Sequence, residues 1–179
     1  MAIDSLARVD REARRLLDKV GIAAPAVDVA KIAKSLEIDV LFQHFQEDLS
    51  GVLIKTGDKN TIGINSKHAK TRQRFSLAHE IGHFWLSHPG DMFVDKQMAA
   101  VFFRDGRSGD GTSIHEMEAN RFAAALLMPA HFLVDSFLAC ERTGESDVEQ
   151  TVSRLAKQYE VSAQAMRIRL SSVGLVPAV

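Results

Sequence analysis

Apolar positions along this chain recur at helical spacing in some stretches and alternate with polar ones in others. Between Ala7 and Val20, the residues Val9, Ala13, Leu16, Leu17 and Val20 fall on one stripe, which predicts an amphipathic helix ended by Gly21. Pro25 and Asp28 then introduce a short helix, Val29 to Leu36. The run Ile38–Phe42 has strand character, and Ser50–Lys55 and Thr61–Asn65 flank Gly57–Asn60 as the arms of a hairpin. These three strands are expected to form a small antiparallel sheet packed on the helix that follows. That helix is Arg72–His88, with Thr71 as its N-cap and His88-Pro89-Gly90 as its stop. Its Leu77, Ile81, Phe84 and Trp85 cluster on one side, so one face is expected in the core and the other carries polar groups.

Beyond the stop, Met92 to Phe103 is apolar enough to hold a helix. Arg104–Gly111 is a glycine-bearing loop that suits either a flap over a site or a plain surface connection. Ser113–Met128 reads as a helix ended by Pro129, and His131–Cys140 as another. The final pair, Asp147–Tyr159 and Ser162–Ser171, has Ser162 as N-cap and resembles a helix-turn-helix; two packing helices that close the domain are the alternative. The expected fold is α+β and mostly helical. One domain would cover residues 1–145, with a C-terminal helical pair, 146–179, packed on it.

The polar face of Arg72–His88 holds candidate chemistry. His79-Glu80-Ile81-Gly82-His83 places two imidazoles at i and i+4, about 40° apart on one helical face, where both can point at one metal ion. Two neutral imidazoles leave room for a third ligand and a water, and Glu80 lies close enough to reach that water. His88 falls about 180° from His79 on the same wheel, which argues against it as a ligand.

On the Ser113–Met128 helix, Glu116 lies within the apolar face set by Ala119, Ala123, Leu126 and Leu127, while Glu118 lies at its edge. A carboxylate in an apolar stripe is costly unless paired or bound to a metal, so Glu116 is the preferred third ligand. Two alternatives stand beside it. Ser113-Ile114-His115-Glu116 fits a capping box, and His115 would make a three-histidine site. Asn120, four residues after Glu116, is placed to accept the second N–H of a ligating histidine, or else faces solvent.

Composition narrows the function classes. Hydrophobic residues make up 46%, enough for a core. Lys+Arg 22 against Asp+Glu 23 gives no bulk positive charge, so nucleic-acid binding by the whole surface is not expected. Cys140 is the single cysteine, which precludes an internal disulfide. The stretch MAIDSLARVDREARRLL is charged throughout, no signal peptide or membrane span is expected, and the cytoplasm is the expected compartment.

Arg74–His83, followed by Glu116-Met117-Glu118-Ala119-Asn120-Arg121-Phe122-Ala123-Ala124-Ala125-Leu126-Leu127-Met128-Pro129, resembles the ImmA/IrrE family of zinc metallopeptidases. Ser50-Gly51, Asn65, Val161-Ser162 to Met166, and Arg169-Leu170 match as well, so the resemblance covers most of the chain from about Val27 onward. It implies a zincin-like core of the gluzincin type, with His79, His83 and Glu116 holding Zn2+ and Glu80 as the base. It also implies an intracellular, site-specific peptidase. Members of the family typically cleave a helix-turn-helix repressor encoded nearby, relieving repression after DNA damage or during mobile-element induction. A donor for the developing oxyanion is expected; Tyr159, Arg167 and Arg169 are candidates, each with a structural role as the alternative. The Ser50–Lys55 edge is expected to be free for strand addition of substrate backbone. Two other functions remain open: a DNA-reading regulator with structural zinc, and a module that binds a repressor without cutting it.

Overall fold

The helical stripe at the start of the chain is buried as its spacing predicts. In α1 (Ala2–Val20), Val9, Ala13 and Leu16 are fully enclosed. The structure, a computed structural model, describes residues 2–46, 48–96, 111–142 and 147–177. After α1 come α2 (Val29–Ser35), β1 (Ile38–Gln43), β2 (Leu49–Thr56), β3 (Lys59–Asn65) and α3 (Lys70–Trp85). They are followed by β4 (Met92–Lys96), α4 (Gly111–Leu127), α5 (Ala130–Arg142), α6 (Val148–Tyr159) and α7 (Ala163–Ser172). The architecture is mixed α+β. Among the described residues, no single helix is long and apolar enough to cross a membrane.

The sheet departs from the expected three antiparallel strands. Among the described residues it has four, in the order β1-β3-β2-β4, and β1 pairs with β3 in parallel. The β2–β3 hairpin is as predicted but tighter, turning on Gly57-Asp58 with Gly57 at φ 54. A chain that reverses after β1 and again at this hairpin makes β3 run in the direction of β1. Inserting β3 between β1 and β2 then makes β1 and β3 parallel neighbours. Gly63 permits the crossing, since a Cβ there would lie 2.9 Å from the Phe45 ring in the β1–β2 connection and 3.1 Å from Val52 Cγ1.

The second departure is β4, where Met92–Lys96 forms a strand instead of opening a helix. The remainder of that predicted helix, through Phe103, and most of the glycine-bearing loop, 104–110, lie outside the described residues. β4 pairs antiparallel with β2, so Ser50–Lys55 is not a sheet edge. An exposed β2 edge carries unpaired N–H and C=O groups, and a fourth strand satisfies them. A third departure is the start of α3. It begins at Lys70 after Ala69, without a side-chain cap, so Thr71 is inside the helix.

Helices α3 and α4 pack closely at Gly82. A Cβ on that residue would lie 3.1 Å from the Phe122 ring and 3.3 Å from the Ala119 backbone. The missing side chain lets the two backbones approach, and this sets the distance between the His79–His83 face and Glu116. Both faces of α3 are enclosed, since His79, Glu80 and His83 are as buried as Ile81. The chemistry-bearing face thus looks into the protein rather than into bulk water.

Candidate metal centre

His79 and His83 turn their Nε2 atoms toward each other at 3.0 Å. From α4, the Glu116 carboxylate meets both: Oε2 lies 3.3 Å from His79 Nε2, and Oε1 lies 3.2 Å from His83 Nε2. Ligand bonds of about 2.0–2.2 Å at tetrahedral angles separate neighbouring donor atoms by about 3.3–3.6 Å, close to the spacings here. These three residues are the group among the described residues whose donor atoms converge as metal ligands would.

Hydrogen bonding behind the histidines favours the same reading. His79 Nδ1 lies 3.0 Å from Asn120 Oδ1, an oxygen that can only accept. The His79 proton therefore sits on Nδ1, and its Nε2 is a bare lone pair. The bare His79 Nε2 and the Glu116 Oε1 both face His83 Nε2, which can offer them at most one proton, while the Glu116 Oε2 faces His79 Nε2. A cation satisfies such a set of acceptors.

His115, the competing ligand, stacks on His88 with centroids 4.5 Å apart, and its ring is outside the converging group. The capping-box alternative also loses its geometry, because α4 begins at Gly111, ahead of Ser113, and the Glu116 oxygens meet the histidines. Tyr159 is fully buried with its hydroxyl 3.0 Å from Ser136 Oγ on α5. Arg169 is 2% exposed, with Nε donating to the Met128 carbonyl at 3.1 Å and Nη1 3.5 Å from Asp10. Arg167 pairs with Glu149. The polar atoms of these oxyanion candidates are thus engaged in helix packing and not brought to the ligand group.

Sequence reasoning missed three neighbours of the centre. Phe93 of β4 stacks on the His83 ring at 4.4 Å, which no helical reading of that segment could suggest. Gly51 of β2 lies against Glu80: a Cβ there would be 3.0 Å from Glu80 Oε1 and 3.3 Å from Glu80 Cγ. The Arg72 guanidinium, donating to Ser50 Oγ at 2.7 Å, ties the start of α3 to the strand at that point. His88 is the third. It is 4% exposed, its Nδ1 is 2.9 Å from His83 Nδ1, and its Nε2 is 3.2 Å from Glu118 Oε2. Burial, opposed by the hydrogen bond that His88 donates to Glu118, lowers its pKa to about 4.

A family profile described as the IrrE N-terminal-like domain, of a peptidase family, matches residues 33–171. The radiation response metalloprotease IrrE of Deinococcus radiodurans is 34% identical over 123 residues, which is 68% of this chain and 34% of that protein. The Deinococcus deserti protein of the same name is 32% identical over the same length and is covered to 40%. The chain therefore spans well under half the length of these relatives. A Mycobacterium tuberculosis transcriptional regulator shares the fold, with TM-score 0.63 over 92% of this chain and 46% of that one at 18% identity. With its ligand-like histidines and glutamate inside the matched span, the chain belongs to the ImmA/IrrE family.

Proposed function

We propose that the chain is a zinc-dependent endopeptidase of the cytoplasm, and that it cuts a helix-turn-helix repressor to relieve repression in a stress, DNA-damage or mobile-element response. The convergence of His79, His83 and Glu116 around a proton-poor space is the observation that carries the enzymatic part. The repressor as substrate follows from the family, two relatives of which are named for a radiation response. His79, His83 and Glu116 would hold the zinc, which when bound acidifies water and polarises a carbonyl. Glu80, one residue after the first ligand, takes the proton of the attacking water and passes it to the leaving amine. Asn120 holds His79 in the ligating tautomer. Substrate backbone is assigned to β4, the sheet's outer strand on this side among the described residues, where Met92 and Val94 are exposed. The DNA-reading alternative would need basic side chains of α7 turned to solvent, whereas Arg169 is buried and Arg167 is paired.

The test is incubation of the zinc-loaded protein with a small helix-turn-helix repressor encoded beside it, read by intact mass. Two fragments whose masses sum to the repressor plus one water are expected. A protein that takes up no zinc would overturn the proposal.

A second expectation concerns Gly51. Gly51→Ala presses a methyl group on the Glu80 carboxylate, whose flexible end can yield at little cost to the fold. Misplacing a reacting group by about 1 Å costs about 10²-fold in rate. Cleavage should fall by about that factor while zinc content and melting temperature stay close to wild type. An unchanged cleavage rate would show that Gly51 does not shape the base.

A further inference from the structure

We infer that His88 is a positioning residue for the metal centre, holding His83 in its ligating tautomer through a hydrogen-bond relay that runs from His83 through His88 and Glu118 to Arg8. The inference rests on the ligand assignment above.

The relay is read from protons. Glu118 Oε1 accepts from the Arg8 guanidinium at 2.9 Å, so the carboxylate is ionised and its Oε2 is an acceptor. His88 Nε2, 3.2 Å from that Oε2, must then donate. A neutral imidazole carries one proton, so His88 Nδ1 is an acceptor. The group facing it at 2.9 Å is His83 Nδ1, which must donate in turn. That leaves His83 Nε2 as a lone pair directed at His79 and Glu116, as a ligand requires. Asn120 does for His79 what His88 does for His83, so both imidazoles are held with Nε2 bare.

The turn after α3 makes the contact possible. Leu86 caps the helix, and Ser87 takes the left-handed conformation at φ 54. The Ser87 N–H bonds the Phe84 carbonyl at 3.1 Å, and the His88 N–H bonds the His83 carbonyl at 3.1 Å. This is the Schellman pattern, which returns the C″ residue to the side of C3. Here those residues are His88 and His83. The relay spans three elements: the end of α3, α4 through Glu118, and α1 through Arg8. Residue 8 lies outside the family-matched span of 33–171, so the N-terminal helix supports a histidine inside that span.

Zinc affinity, by competition with a chromophoric chelator, and ring tautomers, by long-range 1H–15N correlation on the zinc-loaded protein, test this. His88→Phe keeps an aromatic ring but removes the acceptor, and should weaken zinc binding about 10–100-fold, the usual loss for an outer partner of a ligand. His88→Gln, whose amide can accept from His83 and donate to Glu118, should regain most of it. In the wild type, His83 should be protonated at Nδ1 and His88 at Nε2. Wild-type affinity in His88→Phe, or no rescue by His88→Gln, would overturn the relay and leave the ligand assignment standing. Should His88→Phe not fold, the wild-type tautomers decide alone: a proton on His88 Nδ1 overturns the inference. A wild type that binds no zinc would overturn ligand assignment and relay together.

Discussion

Glu80→Gln is expected to lower cleavage by about 10²–10⁴-fold, the contribution of a positioned general base, while zinc, fold and substrate capture stay at wild-type levels. Glu80 is fully buried on α3, one residue from His79, with the Gly51 backbone against its carboxylate. Glutamine has nearly the same shape, so the Gly51 contact and the packing survive. Its amide has no basic oxygen to take a proton from water and no acid to return one to the amine. Single-turnover cleavage of the repressor, followed by intact mass, measures the rate. Metal analysis and repressor pull-down measure what should be unchanged. Equal rates in both proteins would remove Glu80 from the chemistry. A mutant that has also lost its zinc would mean that Glu80 acts as a ligand.

Metal removal is the second large effect. Chelation should lower the melting temperature by about 8–16 °C without unfolding the domain at room temperature. A ligand that binds the native state at about 1,000 times its Kd adds about 4.1 kcal/mol, and each kcal/mol shifts a chain of this size by about 2–4 °C. The effect belongs to the tertiary fold, because α3 would supply two ligands and α4 the third. Without the ion, acceptor atoms face one another at 3.0–3.3 Å. Glu116→Ala should therefore take zinc from about one per chain to near none, and its melting curve should ignore added chelator. His115→Ala should retain the metal. The reverse pattern would hand the third position to His115, and an identical melting curve for the chelated wild type would mean that the two helices share no ion.

The pairing of His79 with His83 was legible because it depends on local geometry. The i, i+4 spacing of His79 and His83 places both imidazoles on one face wherever the stretch is helical, and α3 is helical there. Glu116 was picked as a carboxylate within the apolar stripe with Glu118 at its edge, but the structure reverses their burial: Glu118 is buried, the Glu116 side chain is 31% exposed, and what singles Glu116 out is its meeting with both imidazoles. Asn120 followed from its spacing to Glu116, and the structure puts it against His79. The family resemblance stood on the same residues, and the profile match over 33–171 bears it out.

His88 shows where local geometry stops. The helical wheel put it about 180° from His79, which holds only while the helix continues. The helix ends at Trp85, Ser87 turns left-handed, and the ring returns to His83. The Ser-His-Pro-Gly run signalled a stop but not the direction in which the chain leaves it. Likewise, α4 places Glu118 near His88, but only the docking of α1 brings Arg8 to that carboxylate.

By itself, then, the sequence determined most of the helices, the β2–β3 hairpin and the grouping of His79 with His83, because periods of 3.6 and 2 and a tight glycine turn act over a few residues. The tertiary structure alone decided the parallel pairing of β1 with β3, the strand at Met92–Lys96, the close approach at Gly82, and the burial of Tyr159 and Arg169 among helices. Each of these joins segments distant in the chain. A strand's partner is chosen by whichever backbone edge the packed chain leaves unpaired, and a buried polar side chain by whichever carbonyl or carboxylate the neighbouring helix presents, and neither is written in local spacing.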